Sequence, residues 1–111
     1  MLDITVIFTT YNEAHNIAAA LDTVVGWADE IIVVDSFSTD ATCKIVSDTE
    51  GGDKTSIKLL QRAYKGPADQ KNWAIPQARN AWILLVDADE RVTDALKTEI
   101  EQVVNAENTT A

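Results

Sequence analysis

The chain is poor in the residues that carry covalent and soft-metal chemistry. It has one cysteine and one histidine in 111 residues, and its nine Lys and Arg face eighteen Asp and Glu. A single thiol, Cys43, excludes an internal disulfide and any multi-cysteine metal centre, which fits a reducing compartment. The resulting net charge of −9 repels phosphate backbones and anionic lipid heads, so nucleic-acid binding and polybasic membrane docking are not expected. No apolar run approaches the roughly 20 residues of a membrane span. Met1-Leu2-Asp3-Ile4 opens no charged and apolar signal segment, so the expected location is cytoplasmic. Dinucleotide-binding G-x-G-x-x-G, the P-loop and the G-x-S-x-G hydrolase elbow are all missing. What is present is ordinary for a globular domain: 46% hydrophobic and 24% charged residues, a composition that does not stay disordered. The length suits one domain over residues 1–111 and no second.

Hydrophobic periodicity alternates between two patterns. Ile4-Thr5-Val6-Ile7-Phe8, Ile31-Ile32-Val33-Val34, Ile57-Lys58-Leu59-Leu60-Gln61 and Trp82-Ile83-Leu84-Leu85-Val86 are short runs that read as strands, the third weaker and nearer an edge. Between them lie helical stretches. Asn12 is expected to cap the first, with Glu13 in its first turn and Ile17, Leu21, Val24 and Val25 as one stripe ended by Gly26. Asp40 is expected to cap a second helix carrying Ile45 and Val46. Residues 50–54 form a polar turn. Gly66-Pro67 opens a third helix, which Pro76 kinks or stops. Asn80 is expected in the left-handed region before the fourth strand. Thr93 caps a last helix with Leu96, Ile100, Val103 and Val104 on one face, and the tail 105–111 is expected to fray.

Strands apolar on both faces, separated by helices, define an α/β three-layer sandwich with a mostly parallel sheet. Right-handed crossovers then gather the strand carboxyl ends on one edge, where ligands of such sheets bind. Three polar segments should meet there: 9–12, 35–40 and 87–90. Asp87-Ala88-Asp89 follows an apolar run, where two carboxylates are costly unless neutralised. Both can approach one hard cation, and oxygen ligands without His or Cys favour Mg²⁺ or Mn²⁺ over zinc. A solvated acidic turn is the plainer alternative. Asp35, flanked by hydroxyls, suits a ribose or base, though turn chemistry explains Asp40 better. Tyr11 could lie against a base with Thr9 near its edge, while a capped helix start accounts for Asn12 and Glu13. Lys71 or Arg79 could answer a diphosphate, or either could simply be solvated. His15 reads as surface, Cys43 as packing, and Trp27, Trp73 and Trp82 as core and its margins.

Taken together, Ile7-Phe8-Thr9-Thr10-Tyr11-Asn12-Glu13, Glu30-Ile31-Ile32-Val33-Val34-Asp35-Ser36-Phe37-Ser38-Thr39-Asp40, residues 66–74 and Trp82-Ile83-Leu84-Leu85-Val86-Asp87-Ala88-Asp89-Glu90-Arg91 resemble the amino-terminal half of an inverting family 2 glycosyltransferase. The resemblance implies the Rossmann-like, nucleotide-sugar-binding half of a GT-A fold. Asp35 to Asp40 and Gln70-Lys71-Asn72 are similar to a subgroup that glycosylates the lipopolysaccharide core. By this resemblance Thr9, Tyr11, Glu13, Asp35, Lys71 and Asp87 bind the donor, and Asp89 with Asp87 holds Mg²⁺ or Mn²⁺. The implied partners are a nucleotide-diphospho-sugar, a UDP-sugar first, and a glycan or glycolipid acceptor. Lipid acceptors leave peripheral contact with the inner face of the cytoplasmic membrane open. The implied chemistry is attack of an acceptor hydroxyl on the anomeric carbon with departure of a nucleoside diphosphate. Ser36 stands where many relatives carry a second aspartate. Nothing between Val92 and Ala111 matches the region from which the family's catalytic base comes, so the base is expected beyond this chain, with little transfer by the chain alone. Competing readings are a phosphoacceptor receiver domain, which needs an acidic pair where Thr9-Thr10 stands, a nucleotidyltransferase, which needs a Gly-rich basic loop after the first strand, and a non-catalytic binding fragment.

Overall fold

The computed structural model describes residues 1–51 and 54–110; the middle of the expected turn 50–54 lies outside them. Strands β1 (Leu2–Thr10), β2 (Ala28–Asp35), β3 (Ser56–Gln61) and β4 (Trp82–Asp87) alternate with helices α1 (Ala14–Asp22), α2 (Thr42–Asp48), α3 (Pro67–Ala74) and α4 (Asp94–Thr110). A 3₁₀ turn, Ile75–Gln77, follows α3, so Pro76 ends the helix by tightening it, as a residue without an amide proton should. The sheet order is β3-β2-β1-β4 and every pairing is parallel. β3 is indeed an edge strand, and β4 is the other.

Strand alternation assigns the two faces. Ile4, Val6 and Phe8 of β1, Ile31 and Val33 of β2, and Val86 of β4 join Ile17, Leu21, Val24 and Val46 in one buried cluster, on which Ile100 of α4 also packs. Ile7, Ile32 and Val34 form a second cluster with Ala74, and Leu60, Trp73 and Ile83 pack against it. The sheet is therefore sandwiched, with α1, α2 and α4 on one side and α3 on the other. Phe8 is fully buried, a burial of the kind that stabilises a fold by about 1.5–3 kcal/mol.

Several local expectations are corrected. α1 ends at Asp22 rather than reaching Gly26; Thr23 Oγ1 donates to the Ala20 carbonyl, and hydrogen-bonded turns lead through Gly26, at φ 82°, into β2. Val24 and Val25 thus reach the core from a turn. Asn12 does not cap α1: its φ is 52°, and its Oδ1 accepts from the backbone N–H groups of Thr39 and Asp40. Asn80 is not left-handed; its Nδ2 donates to Thr5 Oγ1 and Asp29 Oδ2. The tail is helical rather than irregular from 105, with α4 continuing to Thr110. Thr93 behaves as expected, its Oγ1 accepting from the Leu96 N–H. The N-cap of α2 is Ala41 rather than Asp40, though Asp40, one residue earlier, accepts from both Thr42 N–H and the Thr42 hydroxyl.

Candidate functional site

The strands end level. Thr9 pairs with Asp87, Thr10 with Asp35, and Asp35 with Gln61. Four strand ends about 4.8 Å apart therefore share one carboxyl edge. Their side chains divide between the faces. Thr9 and Asp87 point to the α3 side, in line with Ile7 and Leu85. Thr10 and Asp35 point to the α1 and α2 side.

Asp35 is fully buried there. Its carboxylate accepts from Thr10 Oγ1 at 2.7 Å, Ser38 N–H at 2.8 Å, the Ser38 hydroxyl, and Cys43 Sγ at 3.2 Å. Burial is the largest influence on this carboxyl and opposes ionisation, yet the Ser38, Thr10 and Cys43 donors together hold its pKa below the ordinary aspartate value. Cys43, half-buried beside that charge, is pushed the other way by burial and by Asp35. The thiol is thus kept protonated as a donor, in keeping with a structural cysteine.

The loop after Asp35 is held almost entirely by groups from other segments. Ser36 N–H donates to the Thr10 carbonyl and Phe37 N–H to Gln61 Oε1. Ser38 Oγ accepts from Asn12 N–H. Asp40 Oδ2 accepts from Ala14 N–H, so one carboxylate meets the first turns of both α1 and α2. Phe37 sits at φ 57° and is 59% exposed, a strained conformation for a bulky side chain. The loop geometry is imposed on Phe37 by its neighbours.

On the α3 side of the edge lie two adjoining cavities of about 120 and 310 Å³. Thr9, Thr10, Tyr11, Ser36 and Tyr64 line the first, and Tyr11, Ser36 and Tyr64 the second. Thr9 and Tyr11 are therefore brought together as the sequence indicates, and Asp87 is aligned beside Thr9. Asp89 lies exposed in the turn after β4. Glu90 folds back so that its Oε1 accepts from Asp87 N–H at 2.8 Å. The carboxylates of Asp87 and Asp89 accept nothing from any described residue. Most other carboxylates near the sheet are engaged, including Asp29, Glu30, Asp35, Asp40 and Asp69.

Among the described residues no group of three or more His, Cys, Asp or Glu side chains is gathered to hold a metal. Two unengaged carboxylates still fit Mg²⁺ or Mn²⁺ chemistry, because Mg²⁺ is commonly held by one or two carboxylates plus substrate phosphates rather than by an all-protein cage.

Other expected residues lie outside the cavity lining. Glu13 N–H donates to Thr42 Oγ1, and Glu13 Oε2 accepts from Asn16 Nδ2, which places it at the start of α1. Lys71 is half-buried on α3. Arg79 is at the wrong end of the sheet for a diphosphate: its Nε donates to Asp29 Oδ2 at 2.9 Å and its N–H to Glu30 Oε1 at 2.9 Å. Glu30 is about 16 Å along β2 from Asp35. Lys58 Nζ is 2.9 Å from Glu30 Oε2. Burial opposes the Glu30 charge most strongly, but Arg79 N–H, Lys58 and Thr5 hold its pKa down. This polar knot closes the amino end of the sheet.

The sequence does not single out Tyr64, and marks Gln70 only as part of Gln70-Lys71-Asn72. Tyr64 sits between β3 and α3 with no periodicity to mark it. Gln70 is fully buried, and its Nε2 donates to Ser36 Oγ at 3.0 Å.

A parallel sheet in the order 3-2-1-4, with an aromatic cavity and unengaged carboxylates at its carboxyl edge, is an open α/β sheet of the kind whose ligands bind at that edge. The chain belongs to glycosyl transferase family 2, whose model matches residues 5–110, and this removes the receiver and nucleotidyltransferase readings. A glycosyltransferase of Rickettsia bellii is 39% identical over 99 residues, 89% of this chain and 32% of the relative. The lipopolysaccharide core biosynthesis glycosyltransferase LpsC of Rhizobium meliloti is 36% identical over 78 residues, 69% of this chain and 28% of the relative. Residues 1–349 of TarS of Staphylococcus aureus superpose with a TM-score of 0.79 at 26% identity, covering 95% of this chain and 33% of that one. The same TarS segment solved with UDP gives 0.71 at 27% identity, over 92% of this chain and 31% of that one. The fold is thus the Rossmann-like part of GT-A. The chain spans about a third of the length of the curated relatives it matches. No helix among the described residues is long and apolar enough to cross a membrane.

Proposed function

We propose that this chain forms the donor site of an inverting, metal-dependent glycosyltransferase that takes a UDP-sugar and serves the assembly of a cell-envelope glycan. The observation carrying this is the juxtaposition, at the carboxyl edge, of a cavity bounded by Tyr11 and Tyr64 with the unengaged carboxylate of Asp87, aligned with Thr9, and with Asp89 exposed in the turn that follows β4. An aromatic-lined cavity suits a flat base, and the adjacent acid pair suits the cation that an anionic fold needs before it can accept a pyrophosphate. Mg²⁺ or Mn²⁺, held by Asp87 and Asp89 from the β4 end, would supply charge neutralisation for the diphosphate leaving group. Thr9 and Tyr11 seat the nucleoside, and Asp35 keeps the loop of Ser36 in register from beneath. The TarS complex with UDP and the lipopolysaccharide role of LpsC support the nucleotide and the pathway class.

Amide chemical-shift mapping of the chain titrated with UDP and Mg²⁺ tests the placement. The expected shifts fall on residues 9–12, 36, 64 and 87–90. Shifts confined to the groove between β4 and α4, lined by Trp82, Leu84, Leu96 and Val103, would contradict it.

A further inference from the structure

The turn that ends β4 is held by the two residues that follow Asp89. Glu90 Oε1 accepts from Asp87 N–H at 2.8 Å, and Glu90 N–H donates to the Asp87 carbonyl at 2.9 Å. Arg91 Nη1 donates to the carbonyls of Ala88 and Glu90 at 3.3 and 3.1 Å, and Arg91 Nη2 donates to Asn16 Oδ1 on α1 at 3.1 Å. Asn16 in turn donates to Glu13 Oε2, so Arg91 is anchored on the start of α1. Every peptide group from 86–87 to 90–91 therefore carries a hydrogen bond made by Glu90 or Arg91. Beneath the turn Ala88 is buried in the cluster around Phe8, and Asp87 and Asp89 on either side of it are exposed. Glu90 and Arg91 are exposed as well. They add little to the core, and what their bonds fix is the turn itself.

We propose that Glu90 and Arg91 are positioning residues that hold Asp87 and Asp89 in one relative orientation before a divalent cation arrives. The inference rests on the donor-site reading above and deepens it, assigning Glu90 and Arg91 to the backbone of the turn rather than to the cation. Two carboxylates two residues apart repel, and a loose turn would let them part. Ordering that is complete before a ligand arrives is not repeated on binding, which raises affinity. Glu90 acts through Asp87 N–H. Arg91 acts against its own charge. A guanidinium beside a cation site lowers cation affinity by Coulomb repulsion alone, so removing it can weaken cation binding only through geometry. Charge and geometry thus predict opposite signs at Arg91. At Glu90 they separate in the amide variant, because glutamine keeps an oxygen that accepts from Asp87 N–H and carries no charge.

Titration of the chain with Mn²⁺ in the presence of UDP, with free Mn²⁺ read by electron paramagnetic resonance, tests this in wild type, Glu90→Ala, Glu90→Gln and Arg91→Ala. Groups that orient metal ligands are worth on the order of tenfold in metal affinity. Glu90→Ala is expected to weaken Mn²⁺ binding about tenfold, Glu90→Gln to stay within about threefold of wild type, and Arg91→Ala to weaken it by at least about threefold. In the metal-free chain, Asp87 N–H is expected to exchange with solvent about fivefold to tenfold faster in Glu90→Ala than in wild type or Glu90→Gln. Each variant is expected to keep a cooperative thermal transition near that of wild type, since both side chains are exposed. A loss as large for Glu90→Gln as for Glu90→Ala would make Glu90 a charge or a ligand, and unchanged or tighter Mn²⁺ binding by Arg91→Ala would free Arg91 of any role in the turn. Either result would overturn the inference while leaving the donor site standing. Wild-type chain that takes up no Mn²⁺ with UDP would overturn the donor-site reading and this inference with it.

Discussion

Asp35 carries the clearest lesson at the scale of single residues. A carboxylate closing an apolar strand was legible in the sequence as a group that must be satisfied; the direction it faces was not. Ile31-Ile32-Val33-Val34 is apolar on both faces, so its alternation cannot say which face Asp35 joins. The structure turns it inward, where four donors surround it. Replacing it with Asn removes the charge those donors serve and forces an N–H₂ group among them. Asp35→Asn is expected to cost about 3 kcal/mol of unfolding free energy in urea denaturation. Its pKa is lowered in the folded chain, so the folded state binds this proton less readily than the unfolded one. Its contribution is complete above the ordinary aspartate value of about 4 and fades as the pH falls through the lower folded value. Glu30, lowered likewise, adds loss in the same direction. The wild-type midpoint should fall more steeply below about pH 4 than that of Asp35→Asn.

Elements were legible where periodicity is strong and obscure where turns decide. All four strands were readable from their apolar runs, and the edge position of β3 from its weaker run. β1 and β2 extend further than those runs because polar residues also join a hydrogen-bonded ladder: Thr10 and Asp35 are ladder partners. The left-handed asparagine is Asn12 and not Asn80, because what fixes Asn12 is the distant pair of N–H groups at Thr39 and Asp40. The stripe of α4 is only half covered. Val104 is buried, whereas Leu96 and Val103 are 40% and 54% exposed, since β4 is the last strand of the described sheet and leaves that flank open. Phe37 offers an element-level test. Its left-handed conformation costs about 1–2 kcal/mol, and glycine there costs about 0.5–1 kcal/mol through the unfolded chain. Phe37→Gly is therefore expected to stabilise the fold by about 0.5–1 kcal/mol in thermal or urea unfolding. Destabilisation by a similar amount would mean that the exposed ring is held by contacts that outweigh its strain.

For the whole molecule, charge and topology meet at one edge. A net charge of −9 should oppose any diphosphate, and the long-range part of that opposition is screened within about 10 Å at 0.1 M salt. The fold concentrates the difficulty by leaving Asp87, aligned with Thr9, and Asp89, in the turn that follows, unengaged at the carboxyl edge. On the proposed reading a divalent cation would convert that local repulsion into attraction. The joint spacing of four segments made the family legible in the sequence; the strand order was not legible there, and given that order right-handed crossovers put α1 and α2 on one face and α3 on the other. The cavity wall at Tyr64 and the Gln70 contact were not legible, because both depend on how α3 docks. If this edge seats the donor as proposed, nucleotide affinity requires both the cation and the β4 acid pair. Isothermal titration of the chain with UDP, with Mn²⁺ and again with EDTA, in wild type and in Asp89→Asn, measures this directly. Binding is expected with Mn²⁺, with a loss of at least tenfold in EDTA and a comparable loss for Asp89→Asn in Mn²⁺. Equal UDP affinity in all four titrations would contradict a cation-dependent donor site.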